Sequence, residues 1–310
     1  MDSNLTNLGY VEETVFGTTP SANLQLFRRT GGNIVPTQPS VVSQEIRSDL
    51  RAGRPVRVGQ MASGTINMEW SYGTLDDILE GMLLEAWDST VLVDGTTKKS
   101  YTFEEQFVDP DISPSQYKIY KGCRISQLSM SLGIGAIVTG SFGIMGATPS
   151  IAQASSGTGN TNPTTTGPWN TVDMVTSLLE GVAGGSPVAL GKTTGVELNL
   201  SRNLREKREI GSLNPFDIGV GRLLVSGSIQ QYFEDDVLMD AWFAFEDREL
   251  TVVLTDEDSN VFTIEIPKLK LVGDANIDNP GTDSDRIVTV NFEAYANAGD
   301  AALIRFTNST

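Results

Sequence analysis

The chain has 310 residues, with 39 acidic against 22 basic residues for a formal charge of −17, no histidine and one cysteine, Cys123. Without histidine there is no histidine-based triad, imidazole metal centre or histidine pH switch, and a lone cysteine excludes an intrachain disulfide and a cysteine-rich zinc or iron–sulfur centre. The acidic balance argues against a general nucleic-acid-binding surface, which needs basic groups for phosphate.

The opening residues, MDSNLTNLGY, carry neither a basic nor an apolar signal region, so no secretory leader is expected. Next along the chain, Gly64, Ile66, Met68 and Trp70 face one way and Thr65, Asn67 and Glu69 the other, the period of a half-buried strand. Leu75, Ile78, Leu79, Met82, Leu83 and Ala86 then follow a helical stripe, with Thr74 and Asp77 placed as a capping box. Leu128, Met130 and Leu132 alternate with Ser129 and Ser131. The apolar stretch over residues 132–145 is too short for a bilayer, which needs about 20 residues.

Residues 148–170, TPSIAQASSGTGNTNPTTTGPWN, are rich in Thr, Ser, Gly, Asn and Pro and read as a flexible linker. Beyond them Val196, Leu198 and Leu200 alternate with Glu197, Asn199 and Ser201. A second helix is expected over residues 235–243, with Val237, Leu238, Ala241 and Trp242 on one face. Phe262, Ile264 and Ile266 alternate with Thr263 and Glu265. Clean alternation implies antiparallel sheets with one apolar and one polar face. The expected fold is mainly β, of sandwich type, with one short helix per domain. Its domains are residues 1–147 and 171–310, joined by the linker at 148–170.

The halves repeat one another. VGQMASGTINMEWSYGTLDDIL (residues 58–79) matches VGRLLVSGSIQQYFEDDVL (220–238) as V-G, S-G-[ST]-I, an aromatic, and D-D-[IV]-L. Upstream, E-I-R-S at 45–48 matches E-I-G-S at 209–212. Downstream, IVTGSFGI at 137–144 matches IVTVNFEA at 287–294. The order of these landmarks implies an internal duplication.

No segment carries a convincing catalytic or ligand-binding motif. Residues 185–193, GSPVALGKT, resemble a phosphate loop, but Ser186 replaces a required glycine and Pro187 lacks the N–H that would face phosphate. An ordinary turn is expected there. Residues 278–285, DNPGTDSD, offer oxygen ligands for calcium without EF-hand spacing, and a turn-rich hairpin loop explains them as well. Asp76 with Asp77, and Asp235 with Asp236, are the carboxylate pairs a glycosidase would use, yet both sit at helix starts where capping accounts for them. Cys123 beside Arg124 is expected to be a buried structural thiol. No cofactor and no metal are expected.

Basic residues cluster twice: Arg47, Arg51, Arg54 and Arg57 in the first half, and Arg202, Arg205, Lys207 and Arg208 at the equivalent place in the second. Acids lie among them, including Asp49 and Glu206. Mixed signs favour protein–protein docking, in which charge fixes register.

Several segments together resemble the major tail tube proteins of long-tailed bacteriophages, in their two-domain branch. They are YVEETVFGTTP at 10–20, EIRSD at 45–49, the strand and helix over 58–82, VTSLLEG at 175–181, IGSL at 210–213 and YFED at 232–235. The resemblance implies a structural virion protein and no enzyme. It implies rings stacked into a hollow tail tube, through which DNA and the tape measure protein pass during ejection. It further implies a homotrimeric ring of six domains, with a homohexamer as the alternative, and tail terminator and distal tail proteins as partners at the tube ends. DNA is then transiting cargo. Expected inter-ring contacts map to Arg47, Asp49, Arg51, Arg54 and Arg57, and to Arg205, Glu206, Lys207 and Arg208. The place of action is the phage tail, assembled in the host cytoplasm. A capsid-decoration or adhesin-like β protein, or a carboxylate-based glycosidase, are the alternatives.

Overall fold

The computed structural model describes residues 5–49, 51–108, 111–278, 282 and 284–309. The first half runs β1 (Thr6–Glu13), β2 (Leu24–Phe27), β3 (Gly31–Thr37), β4 (Ser40–Val42), β5 (Pro55–Arg57), β6 (Met61–Glu69), α1 (Asp76–Leu83), β7 (Val91–Val93), β8 (Ser100–Phe107), β9 (Gln116–Gly133) and β10 (Thr139–Gly146). Then follow β11 (Thr148–Ala152), β12 (Asn160–Thr161), β13 (Val175–Val182), β14 (Val188–Ala189), β15 (Thr193–Arg202), β16 (Arg205–Lys207), β17 (Asp217–Gly219) and β18 (Leu223–Tyr232). The chain ends with α2 (Val237–Ala244), β19 (Arg248–Thr255), β20 (Val261–Ile277), β21 (Ile287–Ala294) and β22 (Arg305–Ser309). The fold is therefore mainly β with two short helices, as the alternation implies.

The duplication is visible in the strand pairing. In the first half the antiparallel order is β3–β6–β10–β9–β8–β1–β2. In the second it is β15–β18–β21–β20–β19–β13–β14, the same order strand for strand. The small hairpin β4–β5 has its counterpart in β16–β17. The glycine of the S-G-[ST]-I landmark has a steric cause in both copies. A Cβ on Gly64 would strike the Asn33 carbonyl and lie 2.7 Å from Ile34 Cα, and one on Gly227 would strike the Glu197 carbonyl.

The halves fuse edge to edge. The C-terminal part of β9 pairs with β15, from Gln127 opposite Ser201 to Gly133 opposite Gly195. One hydrophobic core runs beneath both halves, from Leu8 and Trp70 to Phe292 and Phe306. Arg202 reinforces the joint. Its buried guanidinium donates to the Met82 and Leu83 carbonyls at 2.6 and 3.1 Å, and to Gly221 O at 3.2 Å. Those carbonyls are orphans at the end of α1, whose last turn has no basic residue of its own. Burial pulls the Arg202 guanidinium below its ordinary range, with Asp94 opposing the shift. Arg202 is thus an internal clamp and not part of a docking surface. Replacing it with leucine strips the buried Met82 carbonyl of its side-chain donor, leaves Leu83 O with Gly95 N alone at 2.9 Å, and is expected to cost about 2 kcal/mol, read as a lowered urea midpoint.

The segment over 148–170 is not a free linker. β11 pairs with the N-terminal part of β9, and β12 lies parallel to β2. Trp169 is buried and stacks on Trp70 with ring centroids 6.4 Å apart, and its backbone N–H donates to Trp70 O at 2.8 Å. The buried Glu104 carboxylate holds the middle of the segment. It accepts from Ser155 Oγ (2.8 Å), Ser156 N (2.6 Å) and Ser156 Oγ (2.7 Å). Glu104→Leu is expected to free residues 153–158 at about 2 kcal/mol, detected as a new limited-proteolysis site in that stretch.

The helices depart from expectation in detail. Thr74 forms no capping box: its hydroxyl contacts Ser71 Oγ at 2.6 Å and Thr164 Oγ1 at 2.5 Å, and Leu75 precedes α1 without a side-chain cap. Leu75, Ile78, Leu79, Met82 and Leu83 are buried, but α1 ends at Leu83 and Ala86 is exposed beyond it. On α2, Leu238 and Ala241 are buried while Val237 is half exposed.

Candidate assembly surfaces

One broad face lies opposite the core. The sheet β3–β6–β10–β9–β15–β18–β21–β20 runs through both halves, and its apolar side chains, such as Ile66, Phe142, Leu198 and Phe292, are buried beneath it. Its other face carries Asn67, Ser129, Ser141, Asn199 and Asn291, with Glu69, Glu197 and Glu293 as acids. Lys270 stands opposite Glu293 across β20 and β21. Small hydroxyl and amide groups therefore dominate the face, and most of the −17 charge lies elsewhere.

This broad sheet is open at both of its ends among the described residues. β3 pairs only with β6, whereas its counterpart β15 pairs with both β18 and β9. The C-terminal part of β20 pairs only with β21, whereas its counterpart in β9 pairs with both β10 and β15. The two open strands are thus the repeat counterparts of the two strands that pair across the internal joint. Beside the open β20 edge, α2 exposes an apolar patch: Val237 50%, Phe243 72% and Phe245 57% exposed. At the end of α1, which the second half covers, Leu83 and Leu84 are buried.

The expected contact residues fall on the two hairpins. Both hairpins stand at one end of the sheet, because Gln60 N donates to Leu213 O at 3.1 Å and Arg208 Nη2 reaches Gln60 O at 3.5 Å. On the first, Arg51, Arg54 and Arg57 are exposed and Arg47 pairs with Asp49 at 2.6 Å. The Arg47 side chain holds the Asp49 carboxyl below its ordinary range. On the second, Arg205 is exposed, Glu206 pairs with Arg208, and Lys207 pairs with Asp217 at 2.7 Å. Arg208 also donates to Leu213 O at 3.1 Å, so it ties the hairpins together. Arg124, not singled out as a site residue from the sequence, anchors the second hairpin by an ion pair to Asp217 at 2.9 Å and a bond to Ile218 O. Burial raises the Asp217 carboxyl, but Lys207 and Arg124 outweigh it and hold it below its ordinary range. A depressed carboxyl contributes stability above its unfolded pKa of about 3.9 and loses it in more acid solution. The second hairpin is therefore expected to stay anchored from pH 5 upward and to loosen below about pH 4, seen as increased cleavage of residues 205–219 by an acid-active protease.

The remaining candidates have ordinary structural roles. Cys123 is buried, and burial pushes its thiol well up. The 185–193 stretch is the turn from β13 through β14 into β15. Asp77 accepts from Tyr10 Oη at 2.9 Å, and Asp235 accepts from Val237 N at 3.2 Å. Of the calcium candidate, residues 279–281 and Asp283 lie outside the described residues. Among the described residues no group of acidic side chains could hold a metal ion, and no helix is long and apolar enough to cross a membrane.

The broad sheet that runs through both halves thus ends on an open strand at β3 and at the C-terminal part of β20. The family described as phage tail tube protein matches the chain over residues 3–294. The chain belongs to the phage tail tube protein family. A comparison with curated proteins gives no match. Membership makes this tail tube protein a structural component of the phage tail that self-assembles into the tube.

Proposed function

We propose that this tail tube protein forms a homotrimeric ring of six β units, and that these rings stack into the conduit for DNA and the tape measure protein. The division into units 1–147 and 171–310, with 148–170 strapped to the first, belongs to the same proposal. The carrying observation is the pair of open edges. Superposing the repeats turns the internal β9–β15 joint into a joint between β20 of one chain and β3 of the next. The register follows from the landmarks: Ser129 opposite Asn199 becomes Val272 opposite Val35 of the partner chain. Two valines on a polar face, in place of a serine and an asparagine, form an apolar cross-strand pair at the joint. The exposed patch on α2 is buried against the incoming chain, as the second half buries the end of α1. Closing the ring this way leaves neither end of the broad sheet free for aggregation.

The core-side face of the sheet is already covered, so the polar face lines the lumen. A lumen of hydroxyls and amides with scattered carboxylates gives phosphate little to adhere to. Three chains carry 3 × −17 = −51, screened beyond roughly 8 Å at physiological ionic strength. The two arginine-bearing hairpins contact the neighbouring ring, and the protein acts without catalysis. Tail terminator and distal tail proteins cap the tube ends. A homohexameric ring of six units would need the internal joint to open, which Arg202 and the shared core oppose.

Two variants test this. Phe243→Asp is expected to leave the chain folded and monomeric by native mass measurement. Arg47→Glu with Arg51→Glu is expected to leave rings intact while shortening tubes in negative-stain images. Wild-type rings from the first, or wild-type tube lengths from the second, would contradict the respective contact.

A further inference from the structure

We propose that Ile210, at the tip of the second hairpin, is a knob that seats in a socket on a second copy of this chain in the next ring. This rests on the tube reading above and names the contact that stacks its rings. The socket is an apolar cleft of about 350 Å3 where β9, β13 and β15 meet, lined by Leu132, Ile134, Val172, Val175, Leu178 and Val196. Ile134 and Val172 are two-thirds exposed although they line it, so in the single chain the socket has no cover. Thr194 Oγ1 within it is shielded from solvent and has no hydrogen-bond partner.

The knob matches in chemistry and in position. Ile210 is fully exposed, and Gly211 beside it holds a φ of +91° that lets the chain turn sharply at the tip. Ile46 is equally exposed at the equivalent point of the first hairpin, inside the shared E-I-x-S landmark. A lone exposed isoleucine is unremarkable. Two at equivalent tips of loops that otherwise differ are not explained by folding of the single chain. The socket lies at the Thr193 end of β15 and the hairpin leaves from its Arg202 end, so ten residues, roughly 33 Å of strand, separate them. Knob and socket thus occupy opposite ends of one element. Such a head-to-tail contact repeats without closing and generates an open stack. The volume suffices for a branched aliphatic side chain, since an apolar cavity of about 150 Å3 already accepts benzene.

The test uses the full chain as Ile210→Asp, Val172→Asp and the double variant Ile210→Cys with Val172→Cys. Both positions are exposed, so folding and ring formation are expected to persist by native mass measurement. Each aspartate is expected to raise the protein concentration needed for tube growth by about tenfold or more. Oxidised tubes of the double cysteine variant are expected to give a ladder of chains linked from ring to ring, which collapses on reduction. Wild-type tube growth by either aspartate variant would overturn the knob and socket, as would double-cysteine tubes that form no ladder. Rings that form while stacking is indifferent to these positions would leave the tube reading standing. A wild-type chain that never forms rings would remove both.

Discussion

Lysine at both Val35 and Val272 will leave the chain folded and hold it as a monomer at concentrations where the wild-type chain is fully assembled. Val35 is 47% exposed and Val272 half-buried on the polar face, so neither supports the core of the isolated chain. In the ring they stand opposite each other across the joint between chains. Cross-strand side chains lie about 5 Å apart, and two ammonium groups at that spacing repel by as much as roughly 3 kcal/mol at an effective dielectric of about 20. The penalty recurs at every joint of a closed ring. The matching changes at the internal joint, Ser129→Lys with Asn199→Lys, fall inside one chain, so they are expected to lower thermal stability and to leave assembly state unchanged. Lysine at one member alone, paired with glutamate at the other, is expected to restore rings. Native mass measurement separates these outcomes, and rings from the double lysine chain would place the joint elsewhere.

The largest effect on folding is expected from Gly227→Val. The added Cβ would strike the Glu197 carbonyl on β15 and lie 2.5 Å from Phe292 Cζ on β21. These are backbone and core on central strands, with no flexible side chain to give way. Overpacking of a close-packed core costs up to about 3 kcal/mol when only side chains shift, and a collision with backbone raises this to roughly 4 kcal/mol or more. In a chain this size that lowers the melting temperature by about 10 °C or yields insoluble protein. Gly64→Val makes the same collision in the first half and is expected to match it. Gly133→Val provides the control, because a Cβ there meets nothing within 4 Å. A melting temperature unchanged in Gly227→Val, by differential scanning calorimetry, would contradict the steric account of the repeated glycine.

The strands, both helices and the duplication could be read from residues because each depends on local periodicity. Val196, Leu198 and Leu200 alternate with polar partners wherever the chain folds, and S-G-[ST]-I recurs because the same backbone approach recurs. What could not be read depends on partners distant in sequence. The Ser, Thr and Gly of residues 148–170 have the composition of a linker, and partners distant in sequence hold the segment down, among them Glu104 and Trp70, more than 50 residues earlier. Arg202 stood among hairpin arginines in sequence, yet its guanidinium reaches back to Met82. Thr74 had the spacing of a capping box, but Ser71 and Thr164 compete for its hydroxyl. Val237 had helical spacing on a face that, in the single chain, has nothing to pack against. The hairpin residues from Arg47 to Arg57 and from Arg205 to Arg208 were visible as charge clusters. Ile46 and Ile210 were visible only as landmarks of the repeat, because a tip isoleucine has no sequence signature of exposure.

The central claim is that the joint inside the chain is repeated between chains, and the most direct measurement is a disulfide across it. Val35→Cys with Val272→Cys places two thiols opposite each other on neighbouring chains, and the native Cys123 is buried and silent. Oxidised rings run on denaturing, non-reducing electrophoresis are expected to give species that stop at three chains and revert to one on reduction. Assembled protein with no cross-link, or a series that continues to six chains, would contradict the account.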